Sequence, residues 1–156
     1  MEEKKIVDRL ANLCARREYC TQDIFNKALK LAEGDVEVAT NVVAALEKSS
    51  YVSDLRYAEA FSRDKAQLSG WGEVKIRASL RHKGLATNVI DAALGSVDHS
   101  KADAKAIKVV EVKYKALKDD PQWRIKLLRF TLGRGYTYEQ ASLLIRRVTS
   151  ALESEV

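Results

Sequence analysis

Apolar residues recur along this chain in steps of three and four. The stripe Tyr138, Ala141, Ile145, Val148 and Leu152 is the clearest, and Val36, Ala39, Val43 and Leu46 repeat it. Such spacing lines up one face of an α-helix. No comparable period-two run occurs, so the expected fold class is all-α. Ile6, Leu10, Leu13 and Cys14 open a first helix. Thr21 stands where it can cap a second, which carries Ile24, Phe25, Ala28 and Leu29, and Gly34-Asp35 ends that helix and starts a third. A fourth follows Ser53 through Leu55, Ala58, Phe61 and Leu68, a fifth runs from Gly72 to Lys83, and a sixth follows Thr87 with Ile90, Ala93, Leu94 and Val97. Gly70 and Gly84 separate them. The seventh carries Ile107, Val110, Tyr114 and Leu117. Asp119-Asp120-Pro121 offers an acidic cap and a proline for the first helical position, so the eighth is expected to start at Pro121. It ends at Arg134-Gly135, and Thr137-Tyr138-Glu139-Gln140 forms a capping box for the ninth.

These helices fall into threes. Sliding the chain by 51 residues lays Lys83-Gly84-Leu85 on Arg134-Gly135-Tyr136, Ile76 on Leu127 and Leu94 on Ile145. Each unit is then a long helix, a shorter one, a basic-Gly turn and a third helix. One such unit is too small to bury its own apolar face, so neighbours must pack in series. The expected architecture is three tandem three-helix repeats, 1–50, 51–98 and 99–156, forming an elongated curved array. The first repeat fits least well, because Glu33-Gly34 has an acid where the other two turns have a base.

Composition narrows the class. With 46% hydrophobic and 31% charged residues, seven Gly and one Pro in 156, the chain is neither collagen-like nor disordered. It is long enough to fold without disulfide or metal staples. Met1-Glu2-Glu3-Lys4-Lys5 lacks the apolar core of a signal peptide and no apolar run is long enough to span a bilayer, so a soluble, cytoplasmic protein is expected. Cys14 and Cys20 suit neither a zinc hook nor a CxxC redox pair and are expected as reduced thiols in or near the core. The net charge of +5 is uneven: −1 over residues 1–50, +1 over 51–100 and +5 over 101–156. A basic carboxyl-terminal third suits a polyanion or an acidic protein surface, although solvated helix faces are the commoner cause of such an excess.

Catalysis has little to work with. His82 and His99 are the only histidines, and HExxH, GxxxxGK[ST] and GxSxG are all absent, so neither enzymatic activity nor a cofactor is expected. His82 sits between Arg81 and Lys83 and reads as a solvated helix end. His99 reads as linker ahead of a helix. The basic clusters are better candidates: Lys75, Arg77, Arg81 and Lys83 on the fifth helix, opposed only by Glu73, and Arg124, Lys126, Arg129 and Arg134 on the eighth, with no acid among them. Several cations on one rigid surface sum their fields, and arginine adds bidentate geometry toward phosphate or carboxylate. For any single residue, helix-dipole complementation is the simpler role. The bases of the eighth helix alternate with Ile125, Leu127, Leu128 and Phe130, so some arginine stems there are candidates for covering core. Lys101, Lys105, Lys108 and Lys115 share a further face and read as solvated. Tyr57, Phe61, Trp71, Trp123, Phe130, Tyr136 and Tyr138 read as core aromatics rather than a base-stacking series.

Tyr51-Val52-Ser53-Asp54-Leu55-Arg56-Tyr57-Ala58-Glu59-Ala60-Phe61, followed by Gly72, Ile76, Leu80 and Lys83-Gly84-Leu85, resembles the signature of RecX regulatory proteins. Arg134-Gly135-Tyr136-Thr137-Tyr138-Glu139-Gln140 resembles that family's last repeat. The resemblance covers nearly the whole chain and is strongest over 51–94. It departs at Ser53, where the family usually has a second acid, at Glu73, which replaces a frequent proline, and at Thr131, which takes the place of Leu80 in the middle repeat. It implies a bacterial, non-enzymatic modulator of the RecA recombinase, usually an inhibitor of strand exchange, ATP hydrolysis and co-protease activity. Such a protein binds the RecA filament on single-stranded DNA. Its ATP belongs to RecA. Three serial units that bury their faces against one another, with no heptad seam left over, predict an extended monomer, and no membrane partner is expected. The competing reading, from the basic-Gly turn between helices, is an autonomous helix-turn-helix DNA-binding protein.

Overall fold

The computed structural model describes residues 1–154. Among them are nine α-helices and no strand: α1 Glu3–Cys14, α2 Thr21–Leu31, α3 Val36–Lys48, α4 Asp54–Arg63, α5 Glu73–His82, α6 Thr87–Gly95, α7 His99–Leu117, α8 Trp123–Gly133 and α9 Tyr138–Glu153. A single π-helical stretch, Asp64–Leu68, continues α4.

The 51-residue period persists in what is buried. Ala39, Ile90 and Ala141 are each fully buried one period apart, as are Leu46, Val97 and Val148 to within 8%. Ahead of α3, α6 and α9 the chain turns through Gly34, Gly84 and Gly135, all with positive φ. Glycine reaches that left-handed conformation without steric cost, and it lets the preceding helix close on its last carbonyls.

The residues form two compact units, one of Met1–Ala60 with Leu80–Ala93, the other of Phe61–Ser79 with Leu94–Val156. Residues 51–98 therefore contribute to both. The first unit packs Ile6, Leu10, Ile24, Ala28, Val42 and Leu46 into one core. Full burial of each large aliphatic side chain there contributes about 1.5–3 kcal/mol. The second centres on Val110, Leu127 and Val148 of α7, α8 and α9, where Tyr114 meets Trp123 edge to face at 5.2 Å.

Several local expectations change. Thr21 does not cap α2 but is its first residue; its backbone N–H and hydroxyl donate to the two carboxylate oxygens of Asp54, at 2.8 and 3.1 Å. A carboxylate 33 residues away thus supplies negative charge at the α2 N-terminus. Asp54→Ala is expected to lower stability by about 1–2 kcal/mol in urea denaturation, because it strips both donors of their partner. Pro121 precedes α8, which begins at Trp123; Asp120 accepts the Gln122 N–H at 2.8 Å and holds the turn between them. His99 opens α7, capped by Asp98 through the Lys101 N–H, and is not linker. On α3 the buried stripe is Ala39, Val42 and Leu46, with Val36 exposed. Tyr138 is 66% exposed and packs in no core. Cys14 and Cys20 are buried free thiols.

Candidate nucleic-acid and partner interface

The cations singled out in the sequence meet different fates. On α5, Lys75 places its ammonium 4.1 Å from the centre of the Trp71 ring, and Lys65 approaches the same ring at 4.7 Å. Arg77 donates to Glu73 one turn back at 3.0 Å, which partly neutralises it. Lys83 donates to Asp23 of α2 at 2.9 Å. Arg81 is exposed.

On α8, Arg124, Lys126 and Arg129 are all exposed, so none of these stems covers core. Arg124 lies 4.5 Å over Trp123 and Lys126 pairs with Asp120. Arg129 has no side-chain hydrogen bond or ion pair among the described residues. It stands one turn after Ile125 and one turn before Leu132, which are 54% and 37% exposed. The outer face of α8 is therefore mixed apolar and basic, the composition of a contact surface rather than a solvated one. The helix has apolar residues on both sides, so periodicity alone did not reveal which bases face outward.

Arg134 belongs to a different structure. Its guanidinium donates to the Ser69 carbonyl, and Tyr136 donates its hydroxyl to the Gly70 carbonyl at 2.8 Å. Backbone pairing continues the joint: the Gly72 N–H donates to Arg134 O at 2.8 Å, and the Val74 N–H to Gly135 O at 3.0 Å. Arg134-Gly135-Tyr136 thus ties the turn ahead of α9 to the turn ahead of α5. This role was missed in the sequence because its partners lie about 65 residues away.

Burial and pairing also set the proton chemistry. Desolvation pushes the Cys20 thiol up from 9.0 to about 11 and the Tyr136 hydroxyl up from 10.0 to about 12. The hydrogen bond to Asp23 raises Lys83 above 10.5. Each group holds its proton more tightly folded than unfolded, so its contribution is complete below the unfolded pKa and is lost as pH rises through the folded value. The urea midpoint is expected to be flat from neutral pH to about pH 9 and to fall progressively from there to about pH 12. A midpoint unchanged across that window would contradict the burial of these groups.

Among the described residues no group of three or more His, Cys, Asp or Glu is placed to hold a metal ion. Among the same residues no helix is long and apolar enough to cross a membrane. Both histidines are exposed.

Comparison with known proteins agrees with this architecture. A family model described as RecX, second three-helix domain, matches residues 53–94. The regulatory protein RecX of Vibrio campbellii is 33% identical over 133 residues, covering 83% of each chain. That of Clostridium perfringens is 31% identical over 127 residues, 78% of this chain and 59% of its own, so the present chain spans about three fifths of the clostridial relatives. The crystal structure of RecX from Lactobacillus salivarius has the same fold, with a TM-score of 0.76 at 18% identity over 94% of this chain and 96% of that one. An all-helical fold built on a 51-residue period, the motif at 51–94 and these relatives lead to one conclusion: the chain belongs to the RecX family of regulatory proteins.

Proposed function

We propose that this chain is a non-enzymatic regulator of a RecA recombinase in the cytoplasm. It binds the RecA filament on single-stranded DNA as a monomer and inhibits strand exchange, ATP hydrolysis and co-protease activity. The observation that carries the reading is the 33% identity, over 83% of both chains, to a protein named for regulation. The mixed basic and apolar outer face of α8 supports it, because a contact surface needs apolar area as well as charge. The repeat boundaries 1–50, 51–98 and 99–156 remain part of this proposal.

Inhibition follows if the chain binds one state of the filament better than another. A ligand shifts such an equilibrium only by its differential affinity, so a body fixed between protomers resists whatever subunit movement accompanies ATP turnover. Arg129, and Arg124 with its guanidinium stacked on Trp123, are exposed and carry charge that can meet acidic filament surface or DNA phosphate. The experiment is ATP hydrolysis by RecA on single-stranded DNA with this chain titrated in. Dose-dependent inhibition, independent of DNA sequence, is the expected result. Protection of a defined DNA site in the absence of RecA would replace this reading with that of a helix-turn-helix DNA-binding protein.

A further inference from the structure

We propose that the groove between α7 and α8 docks an acidic, amphipathic segment of a partner protein. Its floor is apolar, built from Val109, Val112, Ala116 and Phe130, and its rim carries Lys105, Lys108 and Lys113. No acidic side chain lines it. Lys105 and Lys108 have no side-chain hydrogen bond or ion pair among the described residues, and Lys113 rests 5.2 Å from the Phe130 ring centre. Val112 is 62% exposed, an aliphatic side chain presented to solvent between cations. The sequence had grouped Lys101, Lys105, Lys108 and Lys115 as one solvated stripe. The structure separates them: Lys115 is tied to Glu111 at 3.0 Å, whereas Lys105 and Lys108 border the groove with Lys113.

Charge complementarity selects the occupant. Uncompensated ammonium groups around an apolar floor match carboxylates flanking apolar side chains, as on a helix with acids and apolar residues three and four apart. A nucleic acid fits less well. The floor is chiefly aliphatic, and its one ring is half-buried in the α7–α9 core with Lys113 already against it, so no ring is offered for a base to stack on. The site stands on the groove itself and does not depend on RecA being the partner.

The test is fluorescence anisotropy of a labelled peptide with the full chain. The probe is a helical peptide with Glu at i and i+4 and Leu at i+3 and i+7. Comparison probes are the same peptide with Ser in place of Leu, the same with Lys in place of Glu, and an oligothymidylate. The acidic amphipathic peptide is expected to bind and the three comparison probes to bind at least about tenfold more weakly at this groove. K105E/K108E is expected to weaken the peptide about tenfold and to flatten its salt dependence. V112N is expected to weaken it about as much while leaving the salt dependence intact. K115E, outside the groove, is expected to change it less than about twofold. K105Q/K108Q serves as a gentler pair if charge reversal disturbs the helical circular dichroism. No binding of the acidic peptide, or binding that survives both V112N and the lysine substitutions in folded protein, overturns the proposal. So does oligothymidylate binding that is lost with the same substitutions while peptide binding is not.

Discussion

Gly135→Ala is expected to cost about 3–5 kcal/mol and to lower the melting temperature by about 10 °C, among the largest effects of any single methyl group in this chain. Two causes add. Gly135 has a φ of +101°, a conformation that side chains rarely adopt, and a Cβ built on it would lie 2.4 Å from the Lys75 Cβ and 2.8 Å from the Lys75 nitrogen. Neither neighbour can move cheaply, because the Val74 N–H, next to Lys75, is bonded to Gly135 O. Gly72→Ala is expected to cost a similar amount for the second cause alone, since its Cβ would meet the Gly135 carbonyl oxygen at 2.3 Å. Two controls separate the causes. Gly34 has a φ of +91° with nothing within 4 Å, so Gly34→Ala should cost about 1–2 kcal/mol from backbone conformation alone. Gly133 has open space around it and no positive φ, so Gly133→Ala at the end of α8 should be neutral or stabilising by about 0.5–1 kcal/mol. Thermal and urea melts followed by circular dichroism read the series. If all four substitutions behaved alike, the close approach of the two turns would add nothing to the stability of the second unit beyond backbone conformation.

R124E/R129E is expected to raise the concentration needed to inhibit RecA ATP hydrolysis by about tenfold or more while leaving the fold intact. Both arginines are exposed on α8, and neither donates a hydrogen bond within the chain among the described residues. On the proposed function, their reversal would remove attraction to an anionic partner and add repulsion, and it leaves no buried group without a bond. Inhibition by the variant should also respond less to added salt, because fewer screened contacts remain. Arg81→Glu is the corresponding single change on α5. By contrast, Arg134 and Lys83 are poor probes of partner contact. Each is bonded to another part of its own unit, Arg134 to Ser69 and Lys83 to Asp23, so loss of activity on their removal would report a weakened fold. A folded R124E/R129E variant that inhibits as strongly as the parent at every salt concentration removes α8 from the interface.

The amino-acid sequence by itself determined the helices and their order, because periodicity and capping act over four residues or fewer. The capping box at Thr137 and Gln140 forms as written, with bonds of 2.9 and 3.1 Å, and Asp35 caps α3. The 51-residue period named Ile76 and Leu127 as equivalent, and both are buried because the same helical face recurs. Sequence also singled out the eight cations from which a contact surface could be drawn. Only the tertiary structure decided which of them are free. Lys83 and Asp23 are 60 residues apart, Arg134 and Ser69 are 65 apart, and Thr21 and Asp54 are 33 apart. No local pattern encodes such partners, since a charge takes part in a pair only where packing brings two helices together. The same reason hid the groove of Lys105, Lys108 and Lys113. Along α7 these lysines look like any solvated face, and it is Phe130 of α8 closing the floor beside them that makes the face a groove.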